Sequence, residues 1–100
     1  MNELNRADKA IEIIEGIKKE HRQEIQELTS EELTADSIEK LEYLTNNLKD
    51  NIQVEIVREI HNQIQEDNYK LAEAITREGY GKGLIPQYKF KELNDTFFKN

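Results

Sequence analysis

The chain has 100 residues, one domain's worth of sequence and too little to enclose a large catalytic cavity. Its net charge is −7 and it has no cysteine, which disfavours binding of phosphate backbones or anionic lipid through a basic face and removes disulfides, thiolate nucleophiles and cysteine-based metal sites. Hydrophobic residues are 36% of the chain, yet Leu, Ile, Val and Phe supply 26 residues, above the level of disordered sequence, so the chain is expected to fold as something elongated or as a subunit.

The charge is uneven: residues 80–100 hold 4 basic and 2 acidic side chains, and all the net acidity lies before them. No apolar run has the length of a membrane span, and the first residues, Met1 to Leu4, lack the basic and apolar regions of a signal peptide. A soluble, cytoplasmic protein is the expectation. Abundant Asn, Lys, Ile and Glu with no Trp fits an AT-rich genome, such as that of a low-GC bacterium or its phage.

The first predicted helix spans about residues 3 to 28. Leu4, Ala7, Ile11, Ile14, Lys18, His21, Ile25 and Leu28 recur at spacing 3,4, the signature of one helical face. Ala10, Ile13 and Ile17 add a second apolar row in its first half, wide enough to touch two neighbours and expected to carry self-association as a dimer. Thr29 with Glu32, and Asp36 with Glu39, have capping-box spacing, which ends this helix near Thr29 and Ser30 and starts another.

The second helix is expected over about 37 to 48, burying Ile38, Leu41, Leu44 and Leu48. Asn46, Asn47, Asp50 and Asn51 are poor helix formers, and Asp50 or Asn51 suits the cap of a third helix. The row Leu48, Ile52, Ile56, Ile60, Ile64 steps by four, drifting about 40° per step, so a break or a wrap around neighbours must absorb it. Ile52, Val54 and Ile56 alternate as in a strand, but the longer 3,4 pattern around them favours helix.

The third helix is expected over about 51 to 78, with Val57, Ile60, Ile64, Asp67, Leu71 and Ala74 along its seam. Paired antiparallel with the first, it would bring Leu4 near Ile75 and Leu28 near Ile52. Gly79 stands where a left-handed C-terminal cap belongs, and Gly81 and Gly83 then loosen the chain. Pro86 opens a segment, Tyr88 to Phe98, that reads as a short helix (Phe90, Leu93, Phe97) or as a strand (Tyr88 and Phe90 alternating with Lys89 and Lys91), with the helix slightly favoured.

These elements make an all-α fold: a long antiparallel helical hairpin plus a short helix, three-helix bundle-like, with an aromatic C-terminal extension. Residues 1–79 read as the helical core and 80–100 as a Gly-hinged aromatic and basic segment, either in the same domain or appended to it.

Chemistry-bearing residues are few. Ser30 and Ser37 are the only serines and both fall at the helix connection, where capping explains them better than nucleophilic catalysis. His21 and His61 fall at similar heights in the proposed register. The Glu-x-x-His pairs of bundle metal sites are absent, however, since Lys18 and Arg58 occupy the glutamate positions. Lys18, His21 and Asp67 are polar interruptions of apolar seams, of the type that fixes register. The run Gly79-Tyr80-Gly81-Lys82-Gly83 lacks phosphate-loop spacing and follows a helix instead of opening one. Mixed charge on the long helices reads as a solvated face more than as a nucleic-acid mimic.

No catalytic, cofactor-binding or metal-binding residue is assigned, and no enzyme activity is expected. The expected role is a non-enzymatic adaptor or inhibitor that binds another protein, such as a small bacterial or phage accessory protein. Tyr80, Lys82, Tyr88, Phe90, Lys91, Phe97 and Phe98 are the candidate contacts, because they join aromatic anchors to the chain's one basic segment, and an equal alternative has the aromatics folding back to close the end of the bundle. The alternative is an oligomer sequestering an anionic, nucleotide-like ligand with Lys82 and Tyr80.

Overall fold

The computed structural model describes residues 3–30 and 32–99, with side chains from Arg6 onward. It is all-helical, in a bundle-like arrangement: α1 (Glu3–Ser30), α2 (Ala35–Asn46), α3 (Leu48–Gln65), α4 (Tyr69–Gly81) and α5 (Gln87–Leu93), the last running into a π-helical turn (Asn94–Phe98). No strand occurs among the described residues, so the alternation at Ile52 to Ile56 is one turn of an amphipathic helix.

The expected single helix over 51 to 78 is two. Asp67 adopts φ +63, and the Asn68 N–H donates to the Gln63 carbonyl at 2.8 Å while the Asp67 N–H donates to the Ile64 carbonyl at 3.0 Å. That pair of bonds is a Schellman termination, with Asp67 in the left-handed position usually held by glycine. Asp67 therefore marks a chain reversal and not a polar seam residue. A second Schellman termination ends α4, where the Leu84 N–H donates to the Gly79 carbonyl at 2.9 Å and the Gly83 N–H to the Tyr80 carbonyl at 3.0 Å. The left-handed cap is Gly83, φ +74. Gly79 lies inside α4, where a Cβ would stand 2.7 Å from Ile85 Cδ1 and 3.0 Å from its Cγ1. Its missing side chain lets the segment after the cap fold back onto the helix.

The start of α2 also differs from expectation. Thr34 and Ser37 form the capping box, the Thr34 hydroxyl accepting from the Ser37 N–H and the Ser37 hydroxyl from the Thr34 N–H. Thr29 and Ser30 stay within α1, their hydroxyls donating back to the carbonyls of Gln26 and Glu27. Asn47, not Asp50 or Asn51, separates α2 from α3, and its side-chain amide donates to the Tyr43 carbonyl at 2.8 Å.

Helix directions follow from neighbours. Arg6 and Ala7 line a groove with Lys70, Ala74 and Arg77, and Glu15 reaches Lys82 at 3.8 Å, so α1 and α4 run parallel. Arg6 and Lys9 border Gln63 and Glu66, so α3 runs antiparallel to α1. The first half of α1 thus lies against both α3 and α4, and the core is built there from Ala10, Ile14, Ile52, Ile56, Ile60, Ala72, Ile75, Ile85 and Leu93. Three middle members of the step-of-four row are buried while Leu48 and Ile64 at its ends are half-buried, as the drift of that row requires.

The second half of α1 leaves this core. Together with α2 it forms a two-helix arm on a molecule 52 Å long and 27 by 23 Å across. No residue of α2 is buried. Leu28, about 21 Å further along α1 than Ile14, belongs to this arm and is not beside Ile52. The expected contact of Leu4 falls outside the described side chains.

Candidate protein-binding surfaces

The C-terminal segment folds back antiparallel along α4. Ile85 and Leu93 anchor it in the same buried cluster as the helical core. The Tyr80 and Phe90 rings stack with centroids 4.3 Å apart and an interplanar angle of 14°. Phe97 meets His61 edge-on at 5.7 Å, and Phe97 and Phe98 border a recess with Tyr69, Lys70 and Glu73.

The seven candidate contact residues accordingly divide. Phe90, Phe97 and Phe98 are half-buried against the core, and Tyr80 is held by its stack on Phe90. Lys82 is near Glu15, which offsets its charge. Tyr88 is 68% exposed and Lys91 is exposed on the same short helix, which is pinned from below by Leu93. What remains at the surface is a rigid aromatic and basic ledge: the Tyr80 edge, Tyr88 and Lys91, with Lys89 tied to Glu92 at 3.3 Å.

The row assigned to self-association is largely filled within the chain. Ala10 is fully buried, and Ile13 and Ile17 pack on the same core. The wide face of α1 meets two neighbours within the chain, α3 and α4.

His21 and His61 are not brought together. The register that sets Arg6 and Lys9 beside Gln63 and Glu66 places His61 near the first turns of α1, while His21 is half-buried in the arm. Among the described residues no group of three or more His, Asp or Glu side chains is arranged to hold a metal. Lys18 pairs with Glu15 at 3.5 Å, beside the core and not across a seam. The groove between the start of α1 and the α3–α4 turn, about 550 Å³, carries Arg6, Lys9 and Lys70 against Glu66 and Asp67, a mixed lining whose excess of one positive charge is small. No described helix is long and apolar enough to cross a membrane.

Sequence reasoning missed the arm as a surface. Its apolar residues Ile25, Leu28, Leu41 and Leu44 were assigned to seams, and they are only half-buried and lie outside the core cluster. Leu33, Ile38 and Tyr43 are exposed. The signal was present in the narrowing of the α1 seam after Ile17. No protein family, curated protein or solved structure matches the chain.

Proposed function

We propose that this protein acts non-enzymatically, as an adaptor or inhibitor that binds another protein through the ledge formed by the Tyr80 edge, Tyr88 and Lys91, backed by the half-buried Phe90. The observation that carries this reading is the exposure of Tyr88 and Lys91 on a helix locked to the core by Leu93 and by the Tyr80–Phe90 stack. Aromatic side chains presented on a rigid support lose little entropy on binding, which is why such residues dominate interface hot spots. The ledge also opposes in sign the rest of an acidic chain, which orients an approaching partner.

The test compares wild type with Tyr88→Glu plus Lys91→Glu in affinity purification from the native source, followed by mass spectrometry. A protein that co-purifies with wild type and is lost with the folded double variant is the expected result. Equal recovery by both would remove the ledge as the contact. A co-purifying small anion instead would favour sequestration of a ligand.

A further inference from the structure

We propose that the open seam of the arm is a docking site for a basic amphipathic helix of another protein, which lies in the α1–α2 groove as a third helix. The site is separate from the ledge and independent of what the ledge binds.

The arm is incompletely packed. Two amphipathic helices laid side by side leave their shared seam open on one side, and an amphipathic helix set in that groove is a recurrent way to close it. Ile25, Leu28, Leu41 and Leu44 form the seam, half-buried and outside the core, while Leu33 is 52% and Ile38 44% exposed near its outer end. The capping box of Thr34 and Ser37 fixes the turn that carries Leu33, so this surface is held in shape before anything binds. The 12 residues of α2 span about 18 Å, which suits a partner helix of about three turns.

Charge selects the occupant. Residues 23–47 carry seven acidic side chains and one basic, Lys40. Glu24, Glu27, Glu32, Asp36, Glu39 and Glu42 are all exposed, and none is in an ion pair among the described residues. In the packed half, by contrast, Glu15 holds Lys18 and Lys82, Glu55 holds Arg58, and Glu73 holds Arg77. At the root of the arm Lys18, Lys19, Arg22 and Lys49 stand against Glu15, Glu20 and Asp50, a near balance that leaves the outer carboxylates unopposed. Two arms of this chain would bring like charges together, and a phosphate backbone or anionic lipid would be repelled. A helix with Lys or Arg beside an apolar stripe answers both features: the stripe covers the seam, and the cations meet the unpaired carboxylates around it.

The probe is a synthetic peptide of about 14 residues, built of Leu and Lys with the leucines on one helical face, titrated into the full chain by calorimetry and methyl NMR. Wild type is expected to bind it at about 1–100 µM, more weakly as salt is added, with shifts at the methyls of Ile25, Leu28, Leu33, Ile38, Leu41 and Leu44. A Leu and Glu peptide of the same pattern should not bind, nor should a Leu and Lys peptide whose leucines are scattered around the helix. Leu33→Ser plus Ile38→Ser should weaken binding at least tenfold. Glu27→Gln with Glu39→Gln and Glu42→Gln should weaken it and flatten its salt dependence, whereas Asp8→Asn with Glu12→Gln and Glu66→Gln, which removes the same charge from the packed half, should bind as wild type does. All these variants change exposed residues, so circular dichroism should remain helical. No binding of the Leu and Lys peptide, equal binding of the scattered one, or equal losses in the two charge variants would overturn the proposal. Sedimentation equilibrium of the chain alone reads the rival occupant: a dimer that Leu33→Ser plus Ile38→Ser dissociates gives the seam to a second copy and also overturns it. Peptide binding that persists in the ledge variant Tyr88→Glu plus Lys91→Glu separates this result from the fate of the functional reading, and binding lost there would place the site on the ledge and not on the arm.

Discussion

The packed half and the arm are made of the same material, amphipathic helix with an Ile and Leu seam, and differ in how many neighbours that seam meets. In the packed half, α1 has α3 on one side and α4 on the other, and α4 in turn is covered by the returning C-terminal segment; Ile14, Ile56, Ile60, Ile75 and Ile85 lose essentially all contact with water. In the arm, α1 has α2 alone, and none of α2's residues is buried. A seam with one neighbour buries half its area, so helical pattern alone decides that a segment is helical and neighbour number decides how much stability it contributes.

The largest test of this contrast removes the returning segment. Truncation after Gly83 exposes the sites filled by Ile85 and Leu93, a loss of about 3–6 kcal/mol at roughly 1.5–3 per buried side chain. For a domain of this size that is most of the stability, so the truncated chain should melt far earlier or fail to fold by circular dichroism. A truncated protein with an unchanged melting curve would mean the packed half ends at α4. Next in size, Ile56→Ala should lower stability in urea denaturation by about 3–4 kcal/mol through the cavity it leaves. Leu41→Ala, in the arm, should cost about 1 kcal/mol because its site is already half open to water. Equal losses at the two sites would erase the distinction between the regions. Gly79→Val should cost about 1–3 kcal/mol, since the new side chain meets Ile85 within 3 Å in a site with no room to yield.

The helices were legible in the sequence because the 3,4 spacing persists for several turns in each, and the break near Asn47 was legible from the cluster of poor helix formers there. The reversal at 66–68 was hidden by the same regularity. Helices on both sides of a tight turn carry seams of the same period, so Ile64, Asp67 and Leu71 read as one line although the chain turns back between them. The polar residue in that line was the clue to the turn. Gly79 misled in the opposite direction: glycine near a helix end suggests a cap, but this one serves close packing, and the cap lies four residues later. Of the ledge, sequence composition identified the residues but not their division. The spacing of Phe90, Leu93 and Phe97 marks the face that packs on the core and leaves Tyr88 outside it; what no local pattern encodes is that the segment returns along α4, where Gly79 leaves room for Ile85.

Smaller effects should report the arm alone. Thr34→Ala removes a capping box at its outer end, worth about 1 kcal/mol. Because the arm's residues lie outside the core cluster, the loss should appear as faster amide exchange in α2 and the end of α1, with the slowest amides of α3 and α4 unchanged. Slowing or speeding of both sets together would show that the arm and the packed half unfold as one cooperative unit.

The smallest predicted change is a gain. Asp67 is the one described residue other than glycine with positive φ, and it holds the turn that makes α3 and α4 two helices. Left-handed backbone crowds the Cβ of an L-residue, a penalty that aspartate tolerates better than most but glycine escapes. Asp67→Gly therefore relieves strain in the folded state, while the added freedom of glycine stabilises the unfolded chain; where the turn is already formed by both Schellman hydrogen bonds, the first effect should win by about 0.5–1 kcal/mol. The same change also removes one of the carboxylates around Arg6, Lys9 and Lys70, which leaves the stability gain smaller than at a neutral site. A higher urea midpoint with an unchanged slope is the expected outcome. A lower midpoint would mean that Asp67 contributes more by its charge at this groove than it loses by its backbone, and the turn would then be held by electrostatics as much as by its hydrogen bonds.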